Sequence, residues 1–90
     1  MEYGTGALCA SLAGHDKGEV FVIIEEDGEY VCLVSGASRP FAKPKRKKKK
    51  HIQIIYDEEE WKRRELIARG QVRDEFIRSL LRGYKRKGQS

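Results

Sequence analysis

Ninety residues with 39% hydrophobic and 37% charged content are enough for one small domain, or a small domain with an appendage, of limited stability. The formal net charge is +5, and it is unevenly placed: positions 43–50 hold seven of the 19 basic residues and no acid, leaving 12 basic against 14 acidic residues elsewhere. Such focused charge attracts polyanions more strongly than a diffuse basic surface. No apolar run approaches a membrane span, and "MEYGTG" shows neither a basic n-region nor an apolar h-region. The reading is cytoplasmic, with no membrane partner and reduced thiols. Cys9 and Cys32 lack CxxC spacing and sit in apolar stretches, so they read as small buried thiols; zinc would need His15 and His51 as partners, and no metal or other cofactor is expected.

In chain order, "GALCASL" (6–12) reads as a short first strand, and Gly14 and Gly18 bracket a tight polar connection. "EVFVIIEE" (19–26) is a strand of β-branched and aromatic residues. Asp27-Gly28 is a favoured hairpin pair, and "EYVCLVSG" (29–36) is the return strand. Pro40 makes "RPFA" a short extended piece. "HIQIIY" (51–56) alternates in part and closes the set. Five short strands without a helical crossover predict a mainly β protein with a small antiparallel, SH3-like barrel over 1–56, its basic run projecting as a loop at 42–51.

After Tyr56 the pattern becomes helical, and 57–90 reads as a C-terminal helical hairpin with a frayed basic tail, "KRKGQS". Asp57 with Glu60 three residues on resembles a capping box, Trp61 is a candidate anchor for the first helix, and Gly70 is a plausible stop. In the second segment Val72, Phe76, Leu80 and Tyr84 recur every four residues with Ile77 beside them, an apolar stripe for the barrel or the first helix.

The segment "SLAGHDKGEVFVIIEEDGEYVCLVSG" (11–36) resembles the KOW motif, through Gly14, Asp16, Lys17 and Gly18, then Val20, Val22 and Ile23, then Val31, Leu33, Val34 and Gly36. With "KPKRKKKKHIQ" and a short helical tail, the chain looks like the small bacterial KOW-domain RNA-binding proteins. Those are similar to the large-subunit ribosomal protein fourteen family of eukaryotes and archaea. The resemblance implies an SH3-like barrel, ribosomal RNA as partner, and contacts in the loops around the glycine-bearing segment. Family members often carry basic residues where this chain has Leu12 and His15.

The candidate RNA-binding residues are Lys17, Gly18, Arg39, Lys43, Lys45, Arg46, Lys47, Lys48, Lys49, Lys50 and His51. A run of like charges can be merely solvated, and "PKRKKKK" also matches a nuclear address. The run is internal, however, and a strand follows it at once. If roughly six phosphates are neutralised, log K falls with log salt by about 4 for single strands and about 5 for duplex. Asp16 reads as an organiser of its own turn. Phe41 is a stacking platform or a core cap, and Arg82, Lys85, Arg86 and Lys87 are explained by helix-end electrostatics. The acidic runs at Glu25–Asp27 and Glu58–Glu60 fit a hairpin and a helix start, and no Ser-His-Asp pattern or phosphate loop suggests an enzyme. The alternative function is a protein-interaction module for an acidic partner in translation or transcription.

Overall fold

The computed structural model describes residues 4–88, with side chains through residue 84. Five strands run in chain order: β1 (Leu8–Ser11), β2 (Val20–Asp27), β3 (Tyr30–Val34), β4 (Lys45–Lys48) and β5 (Ile52–Ile55). A single 3-10 turn, Lys49–His51, links the last two, and helices α1 (Glu60–Ala68) and α2 (Asp74–Gly88) follow. The strands form one antiparallel sheet in the order β4-β3-β2-β1-β5.

That order forces the sheet to curl. Laid flat, strands about 4.8 Å apart would put β4 and β5 about 19 Å from each other. Three residues of 3-10 helix advance only about 6 Å. The bend is accommodated in β2, whose first half pairs with β1 and whose second half pairs with β3. A register shift between Ile23 and Glu25 marks the change, as expected of a bulge that bends and twists a strand. β4 and β5 remain the two edges, so the sheet is not closed by hydrogen bonds.

The long apolar runs in β1, β2 and β3 follow from burial on both faces. One face carries Ala7, Cys9, Phe21, Ile23, Val31, Leu33, Ile52 and Ile54 as a core cluster. The other carries Leu8, Val22 and Val34, covered by Ile77 and Leu81 of α2. Alternate residues therefore serve opposite cores, and no polar alternation is left to see. α2 directs its apolar stripe at the sheet, with Ile67 of α1 and Val72 packed at the margin of the same cluster. The buried pair is Ile77 and Leu81, while Phe76 stays 44% exposed. Burying each of those two contributes about 1.5–3 kcal/mol. Phe41 packs against this cluster, on the core side of the two readings offered for it.

Several expectations are corrected. The fourth strand is not "RPFA", which forms turns and bends, but Lys45–Lys48 inside the basic run. The run is therefore not a projecting loop. The hairpin turn is Gly28-Glu29, one residue later than expected, because Asp27 pairs with Tyr30 in the ladder. The N-cap of α1 is Glu59, with no side-chain capping bond. Asp57 instead accepts hydrogen bonds from Arg63, which is 2% exposed. The Arg63 Nε–H also donates to the Gly6 carbonyl at 2.7 Å. This arginine, rather than Trp61, fastens α1 to the start of the sheet; Trp61 is 57% exposed. The hydrogen bond from Arg63 holds the Asp57 carboxyl below its usual range, against the opposing effect of burial. α1 does stop as expected: Gly70 N–H donates to Ile67 and Gln71 N–H to Leu66, the paired bonds of a Schellman ending. The expected frayed tail falls at 85–90, whose side chains lie outside the described residues, as do residues 89–90 entirely.

Of the two thiols, Cys9 is fully buried and Cys32 is not. Burial pushes the Cys9 thiol up to about 12, only partly offset by Lys47 nearby. Burial and then Glu25, whose carboxylate accepts a 3.6 Å contact from the thiol, also raise Cys32. Because the thiolate is the nucleophile, iodoacetamide at pH 8 should label Cys32 slowly and Cys9 only in denaturant. Mass spectrometry of the native and urea-treated protein reads the order directly.

Candidate nucleic-acid interface

The basic run forms a strand because it lies at the sheet edge and has a partner for each inward charge. In the β3–β4 register, Lys45 lies opposite Leu33 and Lys47 opposite Val31, so both share the face of the apolar cluster. Inward charges at an edge strand oppose pairing with a second sheet. They need neutralising, and the acid comes from the glycine-bracketed connection between β1 and β2. Asp16 is 6% exposed. Its carboxylate lies 2.7 Å from Lys45 Nζ and 2.8 Å from Lys47 Nζ, and accepts the Ser11 hydroxyl at 2.7 Å. Lys47 Nζ also donates to the Ala13 carbonyl at 2.9 Å. Burial alone would push the Asp16 carboxyl up, but the Lys45, Lys47 and Ser11 bonds outweigh it and hold it well below the usual carboxylate range. Asp16 is thus an organiser, though its carboxylate reaches β1 and β4 rather than its own turn.

The seven cations divide accordingly. Lys47 is 9% exposed and, with Lys45, serves the fold. Lys49 pairs with Glu26 across the hairpin. Arg46 lies 4.1 Å over the Tyr30 ring and 3.5 Å from Asp27. Lys43, Lys48 and Lys50 are exposed, with no carboxylate in ion-pair range among the described residues. His51 is half-buried at the end of the 3-10 turn.

The connection itself also faces this end. Gly14 and Gly18 take φ values of +87° and +90°, left-handed backbone that glycine enters without strain. Lys17 and Gly18 are exposed beside the buried Asp16. A shallow depression of about 430 Å³ is lined by Ala13 and Gly14 on one side and Tyr30, Arg46, Lys48, Lys50 and His51 on the other. Arg39 lines a neighbouring hollow with His15, Asp16 and Lys45. The fold therefore brings the glycine connection and the basic run together, and Asp16 ties them. Lys43 stands outside both depressions, before β4.

Sequence reasoning missed two residues at this site. From the sequence, Tyr30 reads as one of several tyrosines that pack with a wet hydroxyl, and Asp16 as an organiser of its own turn. The available signal for Asp16 was its place as the one acid between Gly14 and Gly18, beside His15 and Lys17.

No group of three or more His, Cys, Asp or Glu residues is placed to hold a metal ion among the described residues. No helix among them is long and apolar enough to cross a membrane. The class defined by fold and site is a small antiparallel sheet, backed by a helix, with a cationic edge. A scan against protein-family models returns no match, and neither does a search of curated proteins.

Proposed function

We propose that this is a non-catalytic RNA-binding protein of the SH3-like, KOW kind, acting in the cytoplasm on ribosomal RNA or in association with the ribosome. The barrel reading is supported by the strand order and by the three-residue 3-10 link that draws the edge strands toward each other. The observation that carries the function is the Asp16 clasp: it fixes the glycine connection beside the basic edge strand. Lys17, Lys43, Arg46, Lys48 and Lys50 are then held on ordered backbone while their heads reach solvent. Closely spaced cations repel one another, and a phosphate backbone relieves that repulsion while releasing counterions. RNA shape and 2′-hydroxyls would supply selectivity, since most of the cations here are point charges on flexible stems.

Lys45 and Lys47 belong to the fold, so fewer phosphates are contacted than the raw count of cations implies. With about five outward cations, log K falls with log salt by about 3.5 for single strands and about 4.5 for duplex. Replacing Lys48 and Lys50 together by Gln should reduce that slope by about 1.4 or about 1.8 respectively. Binding of ribosomal RNA fragments over a salt series measures it. An unchanged slope would remove the electrostatic model, and a ribosomal pull-down that survives nuclease treatment would point to an acidic protein partner instead.

A further inference from the structure

We propose that the free edge of β4 is a docking site for an unpaired nucleotide, its base stacked on Arg46 and Tyr30 and its adjoining phosphates on Lys48 and Lys50. The inference rests on the RNA-binding reading and specifies the ligand: single-stranded rather than double-stranded RNA.

The stacking platform is already assembled. The Arg46 guanidinium carbon sits 4.1 Å from the Tyr30 ring centroid, so one side of Arg46 is occupied by the ring. The Arg46 side chain is 59% exposed, which leaves the other side open. Its carboxylate neighbour, Asp27, is 3.5 Å away and 70% exposed, a weak surface pair that does not bury the guanidinium. An arginine held over an aromatic ring is a surface on which a base stacks.

The edge supplies the other contacts. Lys49 N–H donates to the Glu29 carbonyl. Peptide groups alternate along an antiparallel strand, so those of Arg46 and Lys48 point away from β3. β4 ends the sheet there. Outward N–H and C=O groups complement the donor and acceptor edge of an unpaired base. Lys48 lies directly opposite Tyr30 in the register, and Lys50 lines the same depression, with Ala13 and Gly14 closing its far wall. Small residues at that wall leave room for a planar ring. In an A-form duplex the base faces are stacked within the helix and cannot reach such a platform.

The test uses the full chain and fluorescence anisotropy over a salt series, with affinities compared at one salt concentration. The probes are an oligoadenylate of about 12 nucleotides, its duplex with oligouridylate, an abasic strand of the same length, and a polyglutamate of the same length. The oligoadenylate should bind about tenfold tighter than the duplex or the abasic strand. Arg46→Lys keeps the charge and removes the plane. It should weaken oligoadenylate binding about tenfold, keep the salt slope, and leave the abasic strand unaffected. Tyr30→Leu should act in the same direction. Equal affinity for all three nucleic acids, or an Arg46→Lys variant that binds like the parent, overturns the nucleotide site while the RNA reading stands. Polyglutamate binding as tight as oligoadenylate and indifferent to Arg46→Lys also overturns it. Failure to bind any RNA removes both.

Discussion

Replacing Asp16 by Asn should lower the unfolding free energy by about 3–5 kcal/mol, the range found when one member of a buried ion pair is removed. Asn keeps the volume and an acceptor for the Ser11 hydroxyl. It leaves the Lys47 ammonium, 9% exposed, without its counter-charge. Small domains have about 5–15 kcal/mol in total, so the loss is a large share. Urea denaturation at pH 7 should show a lower midpoint at unchanged slope. Asp16→Asn with Lys47→Met should recover most of the loss, because apolar replacement of a whole buried pair is often neutral. A loss under about 1 kcal/mol for the single variant would mean the cluster behaves as an exposed pair.

The same carboxylate sets an acid limb. Its folded pKa is held well below its unfolded value, near 3.9. Its contribution is therefore complete above about pH 4 and is lost as pH falls through that value toward the folded pKa. Asp57, held down by Arg63, contributes in the same sense. Since Asp57 is present in both proteins, the difference between parent and Asp16→Asn stability profiles isolates Asp16, and that difference should shrink on acidification below pH 4.

The strands that could be read from the sequence are those with apolar residues, either dense on both faces or, in β5, alternating with polar ones. β2 and β3 are dense in Val, Ile and Leu, and their turn carries Gly28. β4 could not be read in that way. Lys45 and Lys47 point in, and Arg46 and Lys48 point out, but all four are basic, so the two-residue alternation leaves no contrast in hydrophobicity. Only Asp16, 29 positions before Lys45, distinguishes the inward pair, and that pairing exists only in the folded chain. α1 lacks a clear apolar stripe for a related reason. Its buried residue is an arginine satisfied by Asp57 and the Gly6 carbonyl, which a hydrophobic periodicity counts as solvent-facing. The nearness of the glycine connection and the basic run is what the KOW resemblance implies; which lysines remain outside is not, because it depends on the edge-strand register.

Gly36→Ala should be the most damaging small change outside the Asp16 cluster, at about 2–4 kcal/mol. Gly36 is buried just after β3 with φ +78°. A methyl group there would lie 2.4 Å from the Asp74 carbonyl oxygen and 2.8 Å from the Arg78 amide nitrogen. Those are backbone atoms of α2, so no side-chain rotation relieves the clash. The Arg78 Nε–H donates to the Gly36 carbonyl at 3.2 Å, and Phe41 N–H donates to the Asp74 carboxylate at 2.9 Å, fixing the first turns of α2 on this spot. A shift of the helix would draw Ile77 and Leu81 off the outer core cluster. Left-handed backbone costs alanine about 1 kcal/mol, and overpacking adds about 1–3. Gly70→Ala separates the two terms: Gly70 has φ +69° and nothing within 4 Å of the added carbon, so only the backbone term of about 1 kcal/mol applies. Hydrogen exchange should rise along α2 in Gly36→Ala and leave β1 and β2 protected relative to it. Equal losses for the two alanine variants would mean that α2 is not seated against Gly36.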